Sequence, residues 1–328
     1  MKKIVAFGEI LLRLSPEGND SITSAKSFQA CYGGTESNVL VTLSGFGHKT
    51  EYISVVPDNA FGKAVEQHLN KYKVGTSHMI KQGDVLGTYY LEKGFGNRVT
   101  SVIYNRRNSE ISKVNSNLFS DAQYDAIFKD CDIFHISGIS FGLSTGCREL
   151  SFRMIDEARK RGIKVSFDCN YRAKVWGEYP SDVYKEILNL ADIIFCSQKD
   201  LDAIGICDTT ILFTEGNCKY LVIREKESAD FDAINAKCHT ITCENGEIKK
   251  YSSRPISFNV LEKIGGGDVF DAGMLNYLSE ADADINKAME FALGCYELKH
   301  TISGDVMNVS ESAVWDFLKN KDSKGLSR

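Results

Sequence analysis

Short apolar runs alternate with longer amphipathic stretches between residues 130 and 225, and this alternation restricts the fold more than any other feature. Residues 132–136, 163–167, 192–196 and 220–223 read as strands, with helical spacing over 145–162 and 181–190. Arg159, Lys160 and Arg161 before Gly162 suit a helix C-terminus. Such a βαβαβ rhythm predicts an α/β fold, a mostly parallel doubly wound sheet with helices on both faces. Residues 4–7, ending at Gly8, and 51–56 add two strands. Over 59–74, Phe61, Val65, His68, Leu69 and Tyr72 fall on one helical face. Ligands gather at the carboxyl ends of strands in such sheets, so chemistry is expected just after each strand.

Two segments break the rhythm. Residues 87–92 and 99–106 are rich in Tyr, Thr and Val and read as an antiparallel hairpin across 93–98. A second hairpin is expected from 239–243 and 247–251 around Asn245-Gly246. Antiparallel insertions beside a parallel sheet suggest a lid over the strand ends. The tail after about Lys319 is polar and is expected to fray.

With 328 residues, 43% hydrophobic and 25% charged, the chain can fill a large core. The net charge of −5, without a Lys/Arg run, argues against a nucleic-acid partner. No apolar run approaches the ~20 residues of a membrane helix. The ten cysteines include no C-x-x-C and do not cluster with the six histidines, so free thiols in a reducing cytoplasm are expected, with no side-chain metal site.

Gly265-Gly266-Gly267 precede a helical pattern formed by Val269, Phe270, Met274, Tyr277 and Leu278. Consecutive glycines let backbone N–H groups converge on an anion, and the helix start adds its positive end. Asp268, in the first turn, is placed to take a proton from a hydroxyl attacking a bound phosphate. The helix start is expected to lower its pKa and keep it ionised. The chain has no G-x-x-x-x-G-K-[ST], and Phe270 occupies the third-glycine position of a dinucleotide fingerprint. The alternative is an ordinary glycine turn capped by Asp268.

The segment 262–268 resembles the second motif, roughly D-T-x-G-A-G-D, of the ribokinase-like (PfkB) carbohydrate kinases, with Asp268 at the catalytic-base position. Gly33-Gly34-Thr35-Glu36-Ser37-Asn38 resembles the first motif. The resemblance runs from Gly8-Glu9 to about Asp305. Within the family the chain is similar to 2-keto-3-deoxygluconate kinases in Asp168-Cys169-Asn170-Tyr171-Arg172 with Trp176, in 264–268 and in 298–305.

The resemblance implies one ribokinase-like domain over 1–328, with β-lid segments near 10–33 and 86–110. It implies ATP and Mg2+ as cofactors and phosphoryl transfer to the 6-hydroxyl of 2-keto-3-deoxygluconate. Gly265, Gly266, Gly267 and Asp268 carry over as catalytic. Gly34, Tyr89, Tyr104, Arg106, Arg172 and Asp305 carry over as sugar contacts. Ser197, Arg224 and Glu225, with Gly265 and Gly267, carry over to the nucleotide. A homodimer through the lid is also implied. Two departures stand out: Ser197-Gln198-Lys199-Asp200 replaces the family's N-x-x-E, and Glu262 replaces the usual Asp.

Arg106 and Arg172 bear on the substrate, because planar guanidinium groups bind carboxylates bidentately. A neutral sugar would leave buried cations unpaired. The pair therefore separates a sugar-acid kinase from a kinase for a sugar such as fructose; a kinase for 5-keto-2-deoxygluconate is the further alternative on this fold. An intact Asp268 argues against a non-catalytic sugar-binding protein.

Overall fold

The computed structural model describes residues 1–321 except 96, 178–179, 231–232, 245 and 281, with backbone only for 227–230. The turn residues Gly96 and Asn245, and the tail beyond Lys321, lie outside the described residues. In chain order the strands are β1 Lys3–Phe7, β2 Leu11–Pro16, β3 Phe28–Gly33, β4 Lys49–Ile53, β5 Val55–Val56, β6 Ile80–Lys81, β7 Thr88–Glu92, β8 Ser101–Asn105, β9 Ile133–Ser137, β10 Lys164–Asp168, β11 Ile193–Ser197, β12 Tyr220–Asp230, β13 Ala233–Glu244, β14 Glu247–Ser252 and β15 Ile256–Asn259.

The main sheet runs β14-β13-β12-β11-β10-β9-β1-β4, with β15 on β13. From β4 across to β12 every neighbouring pair is parallel, as the βαβαβ rhythm predicts. Successive strand residues face opposite sides of the sheet, so one strand feeds two cores. Val5 and Phe7 pack with Phe134, Phe167, and Leu150 and Met154 of the helix Thr145–Lys160. Ile4 and Ala6 face the other way, onto Val39 of the helix Thr35–Gly45 and Phe270 of the helix Gly266–Leu278. Each fully buried Phe contributes roughly 1.5–3 kcal/mol.

The helix Ala60–Lys71 starts at Asn59, whose side chain accepts the Phe61 N–H. Its buried face is Gly62, Val65 and Leu69, whereas Phe61 is 50% exposed. Gly62 takes the inner position because a Cβ there would overlap the Pro57 carbonyl oxygen. Of the expected apolar face, Val65 and Leu69 are buried and Phe61 is not.

A separate four-stranded sheet, β3-β2-β7-β8, forms the lid. β2 and β7 are parallel and the outer pairs antiparallel, with Arg13 opposite Tyr89 and Tyr89 opposite Tyr104. Its inner face, Leu11, Tyr89 and Leu91, packs on Val102 and on Ile264 of the glycine segment. Glu110 ties the lid's exit to its entry by accepting the N–H groups of Asp84 and Val85. The second hairpin is not part of the lid. β13 pairs antiparallel with β12, and its inward residues Ile234, Ala236 and Cys238 belong to the main core, so the hairpin extends the main sheet. Among the described residues no helix is long and apolar enough to cross a membrane. All ten cysteines are free thiols.

Candidate active site

A cavity of about 660 Å³ lies where the carboxyl ends of β10, β11 and β12 meet the lid and the start of the helix Gly266–Leu278. Gly265 caps that helix at φ +76°, in the left-handed region that favours glycine. A Cβ there would overlap the Asp305 carbonyl oxygen. Gly265 and Gly267 line the cavity. Gly266 does not: its α-carbon faces the His300 ring, so it shapes the turn from behind.

Asp268, in the first turn, is buried and lines the cavity. Asn38 Nδ2 donates to Asp268 Oδ2 at 2.6 Å across 230 residues of sequence, so the two glycine motifs meet at one carboxylate. Asn38 is carried by the helix that begins after Gly34, where a Cβ would overlap the Glu9 carbonyl oxygen. The Asp268 pKa is raised, contrary to the expected lowering. Burial outweighs the Asn38 hydrogen bond and the charges of Arg224 and Arg172.

Asp168 ends β10 beside Asn170, which holds φ +35° and donates its N–H to Asp168 Oδ1 at 3.2 Å. The Asp168 pKa is pushed up to about 7, by burial first, with Arg224 opposing and Asp268 and Asp200 adding negative charge. On β12, Arg224 donates to the Gly267 carbonyl at 3.2 Å and to Asp271 Oδ1 at 3.1 Å, and lies over the Phe270 ring. It therefore clamps the helix start while lining the cavity.

Glu225, expected beside Arg224, does not line the cavity. The strand's two-residue period turns it to the other face, where Lys237 and His239 bind its carboxylate, each at 2.9 Å. Lys226 takes the cavity-facing place instead. Ser197 lines the cavity, but its hydroxyl and its N–H both donate to Asp200 Oδ2 at 2.7 Å, forming a capping box for the helix Gln198–Ile204.

On the lid side, Tyr89 donates to Asp305 Oδ1 at 2.6 Å, and the buried Arg13 sits 3.4 Å from the same oxygen and 3.5 Å from Glu262. Lys93 reaches Glu262 at 2.9 Å, so Glu262 ties the lid to the glycine segment. Asp305 Oδ2 is buried without a hydrogen-bond partner among the described residues. Behind the loop, Lys299 Nζ donates to the carbonyls of Ile302 (3.1 Å) and Gly304 (2.8 Å).

The two expected arginines differ. Arg106 lies over the Tyr104 ring and is ion-paired with the buried Glu9, which also accepts the Ser109 hydroxyl at 2.6 Å. Arg172 is exposed, lines the cavity and donates to the Tyr171 carbonyl at 3.0 Å. Among the described residues no carboxylate pairs with it. Gly34, Tyr89, Tyr104, Arg106 and Asp305 also line this cavity.

The roles of Glu9, Arg13 and Asn38 escaped sequence reasoning because their partners are remote. Two signals were legible: the S-x-x-D pattern of a helix cap at Ser197–Asp200, and the strand alternation that selects Lys226 over Glu225. No three His, Cys, Asp or Glu side chains converge as a metal cage among the described residues. A divalent ion carried by polyphosphate needs only one or two carboxylates, and Asp168 fits that need.

Residues 1–211 match the pfkB family carbohydrate kinases. The chain is 27% identical over 332 residues to a 2-dehydro-3-deoxygalactonokinase of Haloferax volcanii, covering 99% of each. Among solved structures it is similar to a PfkB family carbohydrate kinase from Listeria grayi, at 30% identity and TM-score 0.89, covering 97% of this chain and 100% of that one. It is also similar to a 2-dehydro-3-deoxygluconokinase from Thermotoga maritima, at 28% identity and TM-score 0.90, covering 97% and 98%.

Proposed function

The chain belongs to the pfkB family of carbohydrate kinases, and from that premise we propose that it transfers the γ-phosphoryl of ATP to the 6-hydroxyl of 2-keto-3-deoxygluconate, giving 2-keto-3-deoxy-6-phosphogluconate. The observation that carries this reading is Arg172: an exposed guanidinium, not paired with a carboxylate among the described residues, lining the cavity that also holds Asp268. A sugar acid brings the carboxylate that such a group binds.

In this reading Asp268 accepts the 6-hydroxyl proton, and Asn38 fixes which of its oxygens faces the sugar. The amides at Gly265 and Gly267 hold the transferring phosphoryl, where fixed dipoles stabilise the spread charge of a loose transition state. Asp305 Oδ2 and Tyr104 contact sugar hydroxyls, while Tyr89 holds Asp305 in place. Ser197 and Arg224 border the nucleotide. Asp168 would be the protein carboxylate that holds Mg2+, which would supply charge neutralisation for the ATP phosphates. Lid closure excludes water from the phosphoryl group.

A second reading, the C4 epimer 2-keto-3-deoxygalactonate, is favoured by the name of the Haloferax relative. An exposed apolar lid face, with Val99 76% and Ile103 53% exposed, supports a lid-to-lid homodimer. ATP as donor and ten free thiols suit a reducing cytoplasm. A coupled ADP-release assay across the two epimers, 5-keto-2-deoxygluconate and fructose tests the assignment. A kcat/KM for fructose equal to that for either 2-keto-3-deoxy acid would overturn it.

A further inference from the structure

Arg13 is a fully buried charge on the lid that does not line the cavity. It lies on β2, opposite Cys31 of β3 and Tyr89 of β7. Its guanidinium faces two buried carboxylates from the far end of the chain: Nη1 is 3.4 Å from Asp305 Oδ1 and 3.5 Å from Glu262 Oε1. Nη2 lies 3.5 Å from Cys31 Sγ. An apolar side chain would fill this space without the cost of taking a charge out of water, so packing alone does not call for an arginine.

The two carboxylates stand on either side of the glycine turn. Glu262 precedes Gly265 by three residues, and the Asp305 carbonyl oxygen lies where a Cβ on Gly265 would fall. The Asp305 side chain likewise lies where a Cβ on Gly33 would fall, so it touches the first glycine motif as well. The N–H groups of Leu261 and Glu262 donate to the His300 carbonyl at 2.8 and 3.2 Å, joining the two segments behind the turn. Burial raises the Asp305 pKa, with Arg13 the largest opposing charge and Glu262 adding to the rise. Without Arg13 two buried carboxylates would face each other. Lys93, the other cation at Glu262, is partly exposed, and Lys299 Nζ is turned to backbone carbonyls.

We propose that Arg13 is a positioning residue of phosphoryl transfer: from the lid it holds Asp305 and Glu262 together and so ties the lid to the glycine turn that Asp268 follows. This rests on the kinase function proposed above. Arg13 acts through Asp305 and Gly265, not by contact with a substrate.

The test compares Arg13→Met, Arg13→Lys and the double variant Arg13→Met/Glu262→Gln in the full chain, by amide hydrogen exchange and by the coupled assay on the sugar panel. Arg13→Met should speed exchange roughly 10-fold in 261–267 and 88–92 together, while 133–137 and 164–168 keep wild-type rates. A residue that only stabilised the lid would speed exchange in 88–92 alone. With the sugar acid that the wild type phosphorylates best, kcat should fall roughly 10- to 100-fold, as a small misplacement at the reacting centre predicts, with KM for ATP within about twofold. Glu262→Gln removes the repelling charge, so the double variant should recover part of both losses. Arg13→Lys keeps the charge without the planar fork and should lie between wild type and Arg13→Met; it carries the comparison if Arg13→Met does not fold. Wild-type exchange in 261–267, wild-type kcat, or a double variant no better than Arg13→Met overturns the proposal. Sugar-acid kinase activity with Arg13-independent exchange in 261–267 removes the tie alone. Arg13-dependent exchange with no sugar phosphorylated by the wild type removes the kinase assignment alone.

Discussion

Arg106→Ala and Arg172→Ala should produce opposite kinds of damage, because one guanidinium is matched inside the protein and the other is not. The Arg106–Glu9 pair is shielded, with side-chain exposures of 12% and 2%. Removing one member of a buried pair costs roughly 3–5 kcal/mol, since the other charge stays behind. A chain of this length loses roughly 2 °C of Tm per kcal/mol, so Arg106→Ala should melt about 6–10 °C below wild type. Burial already raises the Glu9 pKa, so protonation limits the loss, and the deficit should narrow from pH 8 to pH 5. Adding Glu9→Gln to Arg106→Ala should restore much of the stability. Arg172→Ala touches an exposed side chain and should stay within about 0.5 kcal/mol of wild type. Its cost should appear in catalysis: kcat/KM for the sugar acid down roughly 10- to 150-fold through KM, with KM for ATP unchanged. Scanning calorimetry and the coupled assay on a sugar acid and a neutral ketose measure both effects. If Arg106→Ala melts with wild type while losing the preference for the acid, its guanidinium leaves Glu9 for the substrate, and this reasoning fails.

Asp268→Asn should lower kcat by roughly 10²- to 10⁴-fold with ATP and sugar binding within a few-fold; more than about a tenth of wild-type kcat would remove Asp268 as the base. Since burial raises the Asp268 pKa, activity should fall as pH drops through a midpoint above the ordinary Asp value of 3.8, and Asn38→Ala should move that limb higher still, read from pH profiles of kcat/KM. Gly265→Ala places a Cβ against the Asp305 carbonyl at a left-handed φ, so phosphoryl transfer should collapse, while retained turnover would show that the loop adapts. His135 is pushed down to about 3 and His68 and His300 to about 4, all chiefly by burial. The unfolded chain therefore binds protons below about pH 6.5 that the native state refuses, and urea unfolding should show stability falling from there towards pH 4, by about 1.4 kcal/mol per pH unit for each histidine. Light scattering at micromolar concentration should give a dimer that Ile103→Glu dissociates.

The parallel sheet was legible because its signal is local: strand and helix periodicities repeat over short windows, and β9 to β12 lie where those periodicities place them. The glycine triplet was legible for a similar reason, since only glycine holds the turn at Gly265 without a Cβ striking Asp305. The face of the helix Ala60–Lys71 was legible at Val65 and Leu69 but not at Phe61, because close approach to Pro57 turns Gly62 inward instead. The second hairpin could be recognised as a hairpin but not assigned to a sheet, since its own residues do not name the edge it joins.

Sequence by itself determined which residue types are available to the site and which strands deliver them: Asp268 after three glycines, Arg172 after β10, Arg224 on β12. Only the tertiary structure decided which of those groups are already answered. Glu9 neutralises Arg106, Asp271 engages Arg224, Ser197 ties up Asp200, and Arg172 stands without a carboxylate among the described residues. The physical reason is that a charge's role depends on what lies within a few ångströms of it. Those neighbours come from segments up to 292 residues apart, as with Arg13 and Asp305, a proximity that no periodicity along the chain encodes.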